Sequence, residues 1–180
     1  MLKVFVSQVG CDAKTGNAVV FLNDPGCERM LPIWIGATEA MAISWALQDI
    51  HTDRPLTYQL LFNTIKALDF SVEKVEITEI KNQAFVAKLY LVKSNSDAGG
   101  DEKVQRIIDA RPSDAIALAL LEAAPIYVAP SVFAQAAISL KDERQLTDRA
   151  TRAAKPLEED EPFKNFVKEL KASDFRMPEV

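Results

Sequence analysis

The sequence predicts an α+β domain: a mixed sheet with two similar strand–helix units, plus a C-terminal helical tail. Three observations carry this. Short runs of apolar residues, several alternating with polar ones, are separated by turn residues, as in strands. Residues 40–47 and 115–121 contain no charge, which marks helices buried on most sides. Finally, one short motif occurs twice. Thr38-Glu39-Ala40-Met41-Ala42-Ile43 matches Ser113-Asp114-Ala115-Ile116-Ala117-Leu118 position by position, each after an apolar strand. That echo suggests an internal duplication and places Glu39 and Asp114 at equivalent positions.

Taken in order, residues 3–9 and 17–22 predict a hairpin turning near Asp12 and Gly16, and residues 30–35 predict a third strand ending at Gly36. Residues 38–50 predict a helix, with Thr38 as N-cap and Glu39 in the first turn, where negative charge is favourable. A second helix spans 57–68, with Leu61, Ile65 and Leu68 on one stripe. Residues 72–80 and 84–93 form a hairpin turning at Asn82, and 104–109 form another strand. The second echo helix covers 113–123, capped by Ser113. A short strand at 125–128 and a helical turn or two at 131–137 complete a domain of residues 1–138.

Residues 139–180 differ in composition. The stretch 141–161 is dense in charge and reads as a linker or exposed helix. Pro162 then opens an amphipathic helix with Phe163, Phe166, Val167 and Leu170 on one face and Lys164, Lys168 and Lys171 on the other. Such a stripe requires a protein surface, of its own domain or of a neighbouring subunit.

With 48% hydrophobic residues and 26% charged, the 180-residue chain can bury a core. Its net charge of −5 is divided as −4 over residues 1–138 and −1 over 139–180. Neither part is a basic module, so any nucleic-acid contact is local, metal-assisted or weak. Cys11 and Cys27 form no CxxC and read as reduced thiols; a disulfide between them requires adjacent strands. The opening apolar run is too short for a signal peptide and no run approaches a membrane span, so a cytoplasmic protein without membrane contact is expected. His51, the single histidine, follows a helix C-terminus and reads as a cap rather than a base. One histidine also excludes a His-rich zinc site. Trp34 and Trp45 lie in apolar elements and read as core rather than as base-stacking platforms.

Three blocks carry a resemblance. They are Leu31-Pro32-Ile33-Trp34-Ile35-Gly36 with Glu39-Ala40, then Arg54-Pro55-Leu56-Thr57, then residues 108–119 around Asp109-Ala110-Arg111-Pro112-Ser113-Asp114. In this order and spacing the chain resembles the bifunctional nuclease family over roughly residues 1–133. The resemblance implies a mixed α+β fold, hydrolysis of phosphodiester bonds in RNA and DNA, and self-association. The chain departs from the family pattern at one place: Tyr58-Gln59 stand where the pattern has His-Asp.

Candidate site residues follow from this. Asp109, Asp114 and Glu39 are the candidate catalytic carboxylates, and Asp109 with Asp114 the candidate ligands of Mg²⁺ or another divalent cation. Arg111 and Arg54, each fixed by a following proline, are the candidate substrate-binding residues. A structural reading stands beside each: the acids as complements to helix dipoles, Asp109 paired with Arg111, and the arginines in salt bridges. No organic cofactor is expected, since there is no Gly-rich phosphate loop. The expected partners are nucleic acid as substrate and a second copy of the chain, most simply in a dimer; the other class of reading is a non-catalytic oligomeric binding module that keeps the fold.

Overall fold

The computed structural model describes residues 1–11, 16–26, 29–50, 52–94 and 103–139. The expected tail helix, His51, Cys27 and the Cys11 side chain lie outside these residues.

Eight strands form one sheet in the order β6-β5-β4-β7-β1-β2-β3-β8. The strands are β1 (Leu2–Cys11), β2 (Ala18–Asn23), β3 (Arg29–Ile35), β4 (Ser71–Lys81), β5 (Ala84–Ser94), β6 (Lys103–Ala110), β7 (Ile126–Val128) and β8 (Ile138–Ser139). Four helices accompany them: α1 (Ala37–Leu47), α2 (Thr57–Ala67), α3 (Pro112–Glu122) and α4 (Pro130–Ala136). All neighbouring strands run antiparallel except β4 and β7, so the sheet is mixed. The two-residue strand β8 is not foreshadowed by the sequence pattern; it pairs with β3 through Met30 and Ile138.

The duplication is visible in the strand order. β1-β2-β3 and β4-β5-β6 are antiparallel meanders laid out in opposite directions, each followed by a helix of 11 residues. β1 runs antiparallel and β4 parallel to the β7 between them, so β1 and β4 oppose each other, as a pseudo-two-fold through the sheet centre demands. The strand-to-helix junctions also match: Gly36 (φ −74°, ψ 160°) and Arg111 (φ −68°, ψ 146°) adopt the same extended conformation.

These junction residues, rather than Thr38 and Ser113, are the N-caps. The first helical bonds run from Ala40 N to the Gly36 carbonyl (2.9 Å) and from Ala115 N to the Arg111 carbonyl (3.1 Å), and neither cap is made by a side chain. Each helix thus begins one residue earlier than expected. In α3 the extra residue is Pro112, whose missing N–H costs nothing in the first turn. The helices end where a residue enters the left-handed region: Asp49 (φ 54°) beyond α1 and Ala123 (φ 56°) at the end of α3. The β4–β5 turn has Asn82 (φ 50°) and Gln83 (φ 65°) both at positive φ, the backbone a two-residue hairpin with right-handed twist requires.

One core joins the halves. Val20, Leu22, Leu31 and Ile33 share this core with Ile43 of α1, which lies against β1 and β2, while Val75, Ile77, Ala87 and Leu89 come from β4 and β5, the strands that α3 lies against. The two helices also touch each other. Here the halves differ: Ala115, Ile116, Ala117, Leu118 and Ala119 of α3 are all buried, whereas α1 buries Ala40 and Ile43. The run of small residues lets α3 sit close to the sheet, and Ile116 contributes about 1.5–3 kcal/mol by its burial. α4 is tied down by Arg29, which donates to the carbonyls of Phe133 and Ala137.

The sheet is strongly coiled. β6 and β3 are six strand spacings apart, about 29 Å in a flat sheet at ~4.8 Å per spacing. Yet Arg111, just after β6, forms a 2.8 Å ion pair with Glu39, which follows β3. Cumulative strand twist brings these two ends together.

Candidate functional site

That convergence forms the candidate site. Arg111 stands at the start of α3, and its Nε and Nη2 donate to Oδ2 and Oδ1 of Asp114 at 2.8 and 2.9 Å. Nη2 also meets Glu39 Oε1 at 2.8 Å. Tyr58, at the start of α2, donates its hydroxyl to Asp114 Oδ1 at 2.7 Å. Three helix beginnings therefore supply one hydrogen-bonded cluster. Its carboxylates are largely sheltered, with 14% exposure for the Glu39 side chain and 27% for Asp114, while Arg111 is 65% exposed.

The electrostatics follow from these contacts. Burial pushes the Asp114 carboxyl up, but the hydrogen bonds from Arg111 and Tyr58 outweigh it and hold the group below the ordinary carboxylate range. Burial, then the hydrogen bond to Asp114, pushes the Tyr58 phenol well above its ordinary value. Tyr58 is thus a permanent donor and never a base in the working range of a protein. The Arg111 guanidinium is raised as well, first by its bonds to Asp114. The cluster fixes a planar cation in one orientation, and its Nη1 takes part in none of these bonds.

Gly36 belongs to the same arrangement. Its φ is ordinary, but a Cβ there would collide with the Glu39 carboxylate. Glu39 folds back over the start of its own helix, so any side chain at position 36 requires its carboxylate to shift.

Next to the cluster lies an open groove of about 420 Å³, lined by Asn17, Trp34, Gly36, Gln83, Arg111 and Ser113, among others. Trp34, expected in the core, is 57% exposed here. Trp45 is half-buried and lines a separate, more apolar groove between α1, α2 and α3, of about 300 Å³.

The structure brings Glu39, Arg111 and Asp114 together and leaves Asp109 and Arg54 outside their hydrogen bonds. Asp109 lies opposite Lys88 in β5, between Ala110 and Ile108, which lie opposite the buried Ala87 and Leu89. Strand alternation therefore turns Asp109 away from the face that α3 covers, although it precedes Asp114 by only five positions. Nor does Asp109 pair with Arg111, whose partners are Asp114 and Glu39. Arg54 is exposed before α2; its carbonyl accepts from the Thr52 hydroxyl at 2.6 Å.

These placements bear on the divalent cation. Asp114 spends both oxygens on Arg111 and Tyr58, and Asp109 faces elsewhere. Among the described residues no group of three or more His, Cys, Asp or Glu is placed to hold a metal ion. Asp109 and Asp114 are thus not placed to share one Mg²⁺, an ion that one or two carboxylates hold with water completing its shell.

Sequence reasoning missed Tyr58 and Trp34 as members of this region. The signal for Tyr58 was its position directly after the Arg-Pro-x-Thr block, where the resembling family has histidine. That position touches Asp114, so the departure falls at the site itself. Gln59, the second departure, acts locally, and its amide oxygen accepts from Leu56 N at 2.9 Å at the start of α2.

Comparison with known proteins agrees with the motifs. Residues 19–141 match the bifunctional nuclease domain family. An uncharacterized protein of Mycobacterium tuberculosis is 34% identical over 176 residues, 98% of this chain and 99% of that protein. Bifunctional nuclease 1 of Oryza sativa subsp. indica is 31% identical over 117 residues, 65% of this chain and 34% of that protein. Bifunctional nuclease 2 of Arabidopsis thaliana is 30% identical over 112 residues, 62% of this chain and 32% of that protein.

Proposed function

The chain belongs to the bifunctional nuclease domain family, and from that premise we propose that it hydrolyses phosphodiester bonds of RNA and DNA at the groove beside Arg111. The observation that supports this reading is the exposed guanidinium held rigid by two sheltered carboxylates at the edge of an open groove.

Arg111 is the residue that meets the phosphate. Its Nη1 offers a donor to a non-bridging oxygen, and its charge stabilises the negative charge that builds there as water bonds to phosphorus, the bond to the leaving oxygen breaks and the water's proton passes to that oxygen. Glu39 and Asp114 are positioning residues, because their oxygens are spent on the guanidinium. Tyr58 acts one step further back, completing the hydrogen bonding of Asp114.

A second reading is favoured by one specific observation. Where the family pattern has histidine, this chain has a phenol locked in its protonated form. A chain so altered fits a nucleic-acid-binding module that keeps the fold. Cleavage of an end-labelled single-stranded RNA and DNA, with and without chelator, separates the two. Product from the wild type and its loss in Arg111→Ala support hydrolysis. Retention of the intact strand without cleavage supports the binding module.

A further inference from the structure

We propose that Trp34 is a base-stacking platform that makes this groove a site for single-stranded nucleic acid. The inference rests on the reading of Arg111 as the phosphate contact and adds what recognises the base.

Exposure is the starting observation. Trp34 lies in a mostly buried strand, β3, in which Leu31, Pro32 and Ile33 are covered, yet its indole is 57% exposed. A large aromatic ring left in water at a strand end adds nothing to the core that its strand serves. Position is the second observation. The indole lines the same groove as the Arg111 guanidinium, although the two residues come from opposite halves of the sheet. The groove, at about 420 Å³, is within the ordinary size of a small-molecule site. Gln83, at the β4–β5 turn, and Ser113 add polar groups to its wall.

Charge is the third. With a net charge of −5, this chain has no excess of cations with which to bind a backbone by phosphate neutralisation. Affinity must then come largely from something other than charge. An aromatic face supplies it, since every base has a π-face to stack, irrespective of sequence. A base paired within a duplex is already stacked on both sides and cannot lie on Trp34 without leaving the helix. The site therefore selects single strands, with one phosphate on Arg111 and a neighbouring base on the indole.

Fluorescence tests this in a Trp45→Phe background, where Trp34 is the only emitting indole. The probes are a phosphorothioate oligothymidylate, which resists cleavage, the same backbone without bases, and a phosphorothioate duplex. We expect the oligothymidylate to quench Trp34, and the abasic strand and the duplex to leave it bright. In the Trp45-containing protein, fluorescence polarisation of a labelled oligothymidylate should show binding weakened at least ~fivefold by Trp34→Ala and retained within a few-fold by Trp34→Phe. Circular dichroism checks that both variants are folded. Equal oligothymidylate affinity for Trp34→Ala and wild type, or equal quenching by the abasic strand, overturns the proposal. Its failure is distinguishable from failure of the nuclease reading. Quenching by oligothymidylate without cleavage of natural RNA or DNA leaves the stacking site standing and removes the hydrolase. Cleavage with no quenching does the reverse.

Discussion

Replacing Asp114 by asparagine changes one charge at the centre of the cluster while keeping its shape. Two effects set the cost. The first is the loss of charge from hydrogen bonds with Arg111 and Tyr58; bonds to charged groups are worth about 1.5–3 kcal/mol. Arg111 is 65% exposed and retains Glu39, so this contribution sits at the low end. The second is the loss of a first-turn acid in α3, about 0.3–1 kcal/mol. Together they predict a destabilisation of about 2 kcal/mol at about pH 7. The pH dependence is the sharper part. The folded Asp114 carboxyl titrates below its ordinary range. Its stabilisation is therefore fully present above the unfolded value, about 3.9, and is lost as pH falls through the folded value. Urea denaturation of wild type and Asp114→Asn should give a gap of about 2 kcal/mol at about pH 7 and about pH 5 that closes in stronger acid. A gap of the same size in acid as at neutrality would refute the assignment of the effect to the charge.

Arg111→Lys keeps the charge but loses the planar fork to Asp114 and Glu39, so we expect cleavage to fall at least ~tenfold in a protein that still folds but melts at a lower temperature; unchanged turnover of labelled RNA would remove Arg111 from the phosphate site. Gly36→Ala adds a methyl group against the Glu39 carboxylate, and an overpacking cost of about 1–3 kcal/mol should appear as a lowered urea midpoint. No loss there would mean that Glu39 moves aside freely. β6 is an outermost strand with Ile107 and Ile108 both exposed, and an unpaired strand edge invites pairing. Light scattering at micromolar concentration should therefore report a dimer or larger assembly, and Ile107→Lys should shift it toward monomer; a monomeric wild type would contradict this.

Much of this was legible in the sequence, for local reasons. Alternation marked β4 and β5, and uncharged runs marked α1 and α3 as helices, but only α3 is buried on most sides; α1 leaves Met41 and Leu47 exposed. The repeated motif exposed the duplication, since two helices that start from equivalent strand ends keep similar small and large positions, even though α3 buries more of them than α1. What failed was long-range or geometric. Asp109 and Asp114 are neighbours in sequence, but a strand alternates its side chains and a helix then turns the chain, so they do not share a site. Glu39 and Arg111 meet because the sheet coils, and no local pattern encodes that coil. Trp34 read as core because its neighbours are core; its exposure depends on what lies across the groove. The caps expected at Thr38 and Ser113 lie inside the helices, because the extended Gly36 and Arg111 end each strand and cap each helix through their carbonyls.

The place of β7 has a consequence for assembly during synthesis. Each meander is built from consecutive strands and can close soon after it is made. The seam between them cannot. Ile126–Val128 must reach back to pair with Leu2, Lys3 and Val4 on one side and with Val75, Glu76 and Ile77 on the other. Until those three residues emerge, a nascent chain holds two separate ribbons whose inner edges, β1 and β4, are bare. The middle of the finished sheet is thus laid down after both ribbons, with only the two-residue β8 to follow, and the slowest contacts to form are the ones at its centre. A chain halted before β7 would carry every strand of both ribbons and still present two open edges to its neighbours on the ribosome.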